Sequence, residues 1–106
     1  MFLDTDRTEA GPEFVFSAGL TDGTDFALVR GGWGDGGARV EGEDCSYRQR
    51  LDYAADVSRI RIERSCLGDP DAVRVAIRVD GTTRDRQPRR DWLHGHRTWT
   101  RWVARG

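Results

Sequence analysis

Four carboxylates crowd the start of the chain: Asp4, Asp6, Glu9 and Glu13. A calcium ion takes about six to eight oxygens from a shaped loop. The spacing here lacks the glycine and the closing glutamate that an EF-hand loop needs. A solvated acidic turn is therefore the default, with Asp4 and Asp6 kept as a calcium candidate and no other cofactor expected. His94 and His96 flank Gly95. On a strand both would point to one side, which suits zinc, but a third ligand is needed and only Asp91 is near. Ordinary hydrogen bonding is the better account of both histidines.

The remaining candidates are aromatic. Trp33, Trp92, Trp99 and Trp102, with Tyr47 and Tyr53, could stack against a sugar ring beside Asp and Arg side chains. Such a surface supplies the apolar face and planar hydrogen-bonding groups that carbohydrate recognition requires. Core packing competes with that role, and for Trp99 and Trp102 it is the stronger reading. On a regular strand those two would face opposite ways and be unequally buried. Trp33, in the glycine-rich run Gly31 to Gly37, is expected to be exposed. The binding candidates are thus Trp33, Trp92 and Trp99.

Signals for catalysis are weak. The run Gly31 to Gly37 lacks the Gly-Lys-Ser/Thr ending of a phosphate loop, and no helical pattern follows it. No G-x-S-x-G elbow occurs, and Ser17, Ser46, Ser58 and Ser65 have no histidine nearby in sequence. Paired carboxylates are numerous, but one sequence cannot set two of them across a cleft. The expectation is a non-enzymatic protein.

The elements that must position these residues centre on Cys45 to Cys66. Tyr47, Leu51 and Tyr53 alternate with Arg48, Arg50 and Asp52, and Ile60 and Ile62 alternate with Arg59, Arg61 and Glu63. Period two marks strands with one buried face. A loop over Ala54 to Val57 puts Tyr53 opposite Ser58, Leu51 opposite Ile60 and Gln49 opposite Ile62. Outside, Arg48 then meets Glu63 and Asp52 meets Arg59, leaving Arg50 and Arg61 as a like pair. The same register sets Cys45 opposite Cys66, within disulfide reach. Two buried free thiols are the alternative, but pattern, register and cysteine count agree on the disulfide.

Other strands are expected at Met1 to Asp4, Glu13 to Leu20, Asp25 to Arg30, Ala38 to Glu41 and Ala72 to Asp80. A turn over Thr21 to Thr24 separates the second and third. In Ala72 to Asp80, the residues Val73, Val75, Ile77 and Val79 are expected to share the core with Leu51, Ile60 and Ile62. Thr82 to Arg90 is polar, arginine-rich and contains Pro88, so it reads as a loop. Asp91 to Gly106 closes the chain. No convincing helical period appears, and short strands at this spacing indicate a sandwich. Residues 1–106 are read as a single all-β domain, an antiparallel, jelly-roll-like sandwich with one disulfide-closed hairpin.

Net charge is −1, so no global footprint for nucleic acid is present. All 17 basic side chains counted as Lys or Arg are arginine, a bias that a high-GC genome explains more simply than ligand recognition does. No apolar run is long enough for a membrane span. Met1-Phe2-Leu3 is followed directly by Asp4, so no signal peptide is read. A disulfide nonetheless implies export, through a removed signal or as part of a longer exported protein.

The stretches Leu51-Asp52-Tyr53-Ala54, Ser65-Cys66-Leu67-Gly68-Asp69-Pro70 and Val73-Arg74-Val75 resemble an uncharacterised secreted domain frequent in actinobacteria. Leu3-Asp4-Thr5-Asp6 and Phe14 to Leu20 fit the same pattern. Such domains are similar in shape to DOMON and carbohydrate-binding modules. The resemblance implies a β-sandwich at the cell surface or outside the cell; it brings no catalytic residues. Those domains carry further strands before the position of Met1, so this chain is expected either to lack N-terminal strands or to start at an unusual place. Its strands from Phe14 to Leu20 and Phe26 to Val29 would then form an open edge and favour a homo-oligomer. Three functions stay open: binding of carbohydrate or a cell-surface ligand, a structural or protein–protein role through a sheet edge, and a small hydrolase.

Overall fold

The computed structural model describes residues 1–18, 26–34, 37–40, 45–52, 54–55, 57–82 and 84–104. The expected turn over Thr21 to Thr24, the strand ends Leu20, Asp25 and Glu41, the hairpin residues Tyr53 and Asp56, and the terminal Gly106 lie outside them. The chain is built of strands: β1 (Phe2–Asp4), β2 (Phe14–Ala18), β3 (Phe26–Arg30), β4 (Ala38–Arg39), β5 (Tyr47–Asp52), β6 (Val57–Ile62), β7 (Ala72–Ala76), β8 (Arg78–Thr82), β9 (Pro88–Trp92) and β10 (Val103–Ala104). One 3-10 turn, Arg64–Leu67, follows β6. Six strands form an antiparallel sheet in the order β10-β7-β1-β2-β3-β4, and β5–β6 and β8–β9 form two-stranded ribbons.

Alternation along β1 sorts the two faces of the large sheet. Leu3 lies across from Phe14 and Val75 and shares its face with Phe16, Leu28, Val73 and the turn residues Cys66 and Leu67. The inward side of β5–β6, with Tyr47, Ile60 and Ile62, packs onto this face. Phe16, Phe26 and Tyr47 tie the layers together: ring centroids lie 5.9 Å apart for Phe16–Phe26 and 6.1 Å for Phe16–Tyr47. The result is an all-β, sandwich-like fold, open because six strands face two. Phe2 and Asp4 project from the opposite face, where the aromatic residues gather.

The expected open edge at Phe14 to Val29 is not found. β2 pairs with both β1 and β3, and β3 pairs with both β2 and β4. β1 supplies the missing partner by inserting between β2 and β7. Among the described residues the sheet ends instead on β4 and β10, two residues each, and very short edges limit pairing with another chain. Gly37 makes the return from β3 possible: its φ is 124°, and a Cβ there would collide with the Arg30 carbonyl.

In the hairpin the faces are as expected but the register is displaced by two. Tyr47 pairs with Ile62, Gln49 with Ile60 and Leu51 with Ser58. The Asp52 carboxylate accepts the Ala55 N–H at 3.2 Å and starts the turn one residue early. Tyr47 gains a β-branched partner, and Gln49 Nε2 donates to Ser58 Oγ at 3.0 Å. Cys45 and Cys66 are therefore not ladder partners. After Glu63 donates to Ser46 O at 2.9 Å, the 3-10 turn swings Cys66 back, and the disulfide closes with Cα atoms 4.8 Å apart. Closing a loop of this length contributes about 3 kcal/mol on a chain-entropy estimate.

Two further expectations change. The strand over Ala72 to Asp80 is broken at Ile77: β7 pairs with β1, whereas β8 pairs with β9. Val73 and Val75 pack on the core, but Val79 faces Asp91 across the ribbon and is 46% exposed. Part of the expected Thr82–Arg90 loop is β9, with Pro88 at its first position, where a missing N–H is tolerated. Asp80 lies 3.0 Å from Arg78 and 3.7 Å from Arg90, neutralising part of that arginine run.

Candidate functional site

Trp33, Trp92 and Trp99 come together on the Phe2 face, although they lie in three different segments. Trp33 projects from the connection between β3 and β4, Trp92 ends β9, and Trp99 precedes β10. Ring centroids are 5.7 Å apart for Trp33–Trp92 and 5.0 Å for Trp33–Trp99. Phe2 lies beneath, 5.0 Å from Trp33 and 5.5 Å from Trp92. All three tryptophans are half-buried, so Trp33 is less exposed than its glycine-rich loop indicated. Phe2 and Gly11 take up its inner side; the Trp33 indole nitrogen would lie 3.4 Å from a Cβ at Gly11.

Arginines cover the cluster. Arg97 lies over Trp33 at 5.1 Å, and Arg78 lies over Phe2 at 5.3 Å and Trp92 at 5.7 Å. Arg74 reaches Trp99 at 4.9 Å and Trp102 at 4.8 Å, and Trp102 also meets Arg7 at 4.8 Å. A guanidinium over an aromatic face is held by the ring quadrupole while its N–H edge stays available for hydrogen bonds. Trp99 and Trp102 thus share a cation and similar burial, against the expectation of opposite orientations. The segment between them is not a regular strand. Thr100 donates its N–H to Val75 O at 2.8 Å, and its Oγ1 accepts the Val75 N–H at 3.0 Å. This two-way clasp fixes both indoles against β7.

Of the two histidines, His96 is the one that reaches the cluster. His96 meets Trp92 edge-on at 5.3 Å, while His94 has φ 63° in the exposed turn after β9. Among the described residues, no three His, Cys, Asp or Glu side chains gather as a metal site. The calcium candidates have other partners. Asp4 is fully buried and accepts Arg74 Nε at 2.7 Å. Asp6 accepts the Thr8 N–H at 2.9 Å and the Thr8 hydroxyl at 2.6 Å, which holds its carboxyl below the usual range.

Glu13 is the acidic residue that the sequence reading undervalued. Its Oε2 accepts the Thr5 N–H at 2.8 Å, while Oε1 is buried with no partner. Burial, reinforced by the neighbouring Asp4, pushes its pKa above the ordinary 4.5. The folded chain therefore holds this proton more tightly than the unfolded chain. Stability from the protonated form is present below pH 4.5 and is lost as pH rises through the elevated folded value. Glu13→Gln keeps an acceptor for Thr5 and offers Asp4 a donor. It is expected to raise stability by about 1 kcal/mol at neutral pH and to flatten that pH dependence. Urea unfolding across the acidic-to-neutral range checks both effects.

Fold and surface together define an all-β, disulfide-bonded protein with an aromatic–arginine surface on one side of its main sheet. Comparison of the chain with models of known families, with curated proteins and with solved structures finds no match. No helix among the described residues is long and apolar enough to cross a membrane, and the disulfide fits an oxidising compartment.

Proposed function

We propose that this chain is a secreted, non-enzymatic binding module that takes a carbohydrate on the Trp33–Trp92–Trp99 surface. The observation that carries the reading is the convergence of three half-exposed tryptophans from separate segments, rimmed by Arg78, Arg97 and His96. The exposed part of the indole surface supplies apolar contact with a sugar ring, and the stacked guanidiniums supply donors to its oxygens. The buried Asp4–Arg74 pair supports the cluster from below, which gives that carboxylate a structural task. The resemblance to an uncharacterised secreted domain frequent in actinobacteria supports the secreted setting and brings no activity with it.

A glycan array probed with the disulfide-intact protein tests the proposal. Trp33→Ala is expected to weaken binding by about tenfold, the equivalent of one lost aromatic contact, while Trp33→Phe retains most of it. No bound glycan, or full binding by a folded Trp33→Ala variant, would overturn the reading. Concentration-dependent self-association without glycan binding would favour the structural or protein–protein alternative, with β10 and its 69% exposed Val103 as the edge used.

A further inference from the structure

The outer face of the β5–β6 ribbon carries an arrangement that the aromatic surface does not explain. In the observed register Arg48 lies directly opposite Arg61, and Arg50 directly opposite Arg59. All four are exposed. Like charges in directly opposed positions destabilise a ladder, and this ribbon holds two such pairs side by side. Elsewhere five arginines are ion-paired: Arg64 with Asp69, Arg74 with Asp4, Arg78 and Arg90 with Asp80, and Arg89 with Asp91. Among the described residues Arg39, Arg84, Arg86 and Arg101 are unpaired too, but none of them stands opposite another arginine in a ladder. Among the described residues, Arg48, Arg50, Arg59 and Arg61 have neither an ion pair nor an aromatic partner. Cross-strand and along-strand spacing sets their Cα atoms on a grid of about 5 by about 7 Å.

One end of the grid is a cleft of about 240 Å³, lined by Ser46, Tyr47, Arg48, Arg61 and Glu63. It is smaller than the ~300 Å³ at which drug-sized pockets begin, and so suits one ring or one small anion. Its floor is rigid. Glu63 N–H donates to Ser46 O at 2.9 Å, and the disulfide joins Cys45 to Cys66 beside it. Two arginines and a glutamate in one cleft ask for a ligand that carries an anionic group next to hydroxyl donors. A bare polyphosphate would meet Glu63 unfavourably, whereas a sugar bearing a carboxylate or sulfate satisfies all three.

We propose that the outer face of β5–β6 is a second binding surface, for an acidic polysaccharide. Arg48 and Arg61 hold the carboxylate or sulfate of one sugar unit in the cleft, and Glu63 accepts its hydroxyl groups. Arg50 and Arg59 take the next anionic group along the polymer. This face lies across the protein from the tryptophans, because β5–β6 covers the Leu3 face of the sheet and the tryptophans lie on the Phe2 face. The proposal does not depend on the aromatic surface.

The test is calorimetric titration of the disulfide-intact protein with polygalacturonate and with heparin at about 50 mM and about 200 mM salt, with a short DNA duplex and phosphatidylglycerol vesicles in parallel. At least one of the two polysaccharides is expected to bind at low salt and to weaken as salt rises. Arg48→Gln/Arg61→Gln should lower that affinity about tenfold or more and reduce the salt dependence by roughly half. Its stability should not fall, because a like-charge pair is removed. Glu63→Gln separates recognition from simple attraction: losing a negative charge strengthens generic polyanion binding, but here it should weaken binding. Trp33→Ala should leave this binding unchanged. No polysaccharide binding at low salt, or wild-type affinity in Arg48→Gln/Arg61→Gln, would overturn the surface. Duplex or vesicle binding at least as tight as polysaccharide binding, with Glu63→Gln tighter still, would overturn the saccharide assignment.

Discussion

Arg74→Ala is expected to lower stability by about 3–5 kcal/mol, the cost of leaving a buried charge without its partner. Asp4 and Arg74 face each other across the β1–β7 ladder, and the Asp4 carboxylate has no exposure to water. Its other donor is the Asp6 N–H at 3.2 Å, too little to replace a guanidinium at 2.7 Å. The same substitution removes the cation shared by Trp99 and Trp102. Asp4→Asn/Arg74→Met should recover most of the loss, because Asn still accepts from Asp6 and the pair leaves no unmatched charge behind. Urea unfolding of the single and double variants measures the coupling. A loss below about 1 kcal/mol in Arg74→Ala would show that the pair is not what holds β1 to β7.

Much of the fold was legible because alternation survives in one sequence. Tyr47, Ile60 and Ile62 announced the inward face of the hairpin, and the structure packs them on the core, whereas Leu51 shares their side of the ladder opposite Ser58 without joining the core cluster. Alternation is blind, however, to a displacement of two, since every side chain keeps its face. What decides the register is the Asp52–Ala55 turn and the 3-10 turn that carries Cys66 back. The displacement matters chemically. The expected register paired Arg48 with Glu63 and Arg59 with Asp52, whereas the observed one sets arginine against arginine twice.

The aromatic surface was legible in a different sense. Residue type marked Trp33, Trp92 and Trp99 as candidates, but their separation in the chain concealed that they meet. Their meeting depends on strand order: β1 lies between β7 and β2, so Phe2 stands under the segments that carry the indoles. The clasp of Thr100 on Val75 could not be read from spacing either, because residues between Trp99 and Trp102 leave regular strand geometry. Glu13 was hidden for a simpler reason. An acidic residue before a strand looks solvated until the fold buries one of its oxygens beside Asp4.

Phe16→Ala should be comparably damaging, at about 3–5 kcal/mol. Phe16 is 1% exposed and lies opposite Leu28, which is wholly buried. Its ring meets Phe26 in a stacked arrangement and Tyr47 edge-on, so truncation opens a cavity where the six-stranded sheet meets the hairpin. The hairpin is joined to the sheet by few large side chains, and losing one loosens both the disulfide-bearing turn and the arginine face above it. Val79→Ala is the matching control. Simple alternation along Ala72 to Asp80 placed Val79 in the core, but its position on the β8–β9 ribbon predicts a change within about 0.5 kcal/mol. Unfolding both variants in urea distinguishes the two arrangements: a large loss at Val79 with a small one at Phe16 would mean that the chain continues β7 through Ile77 and that the core lies elsewhere.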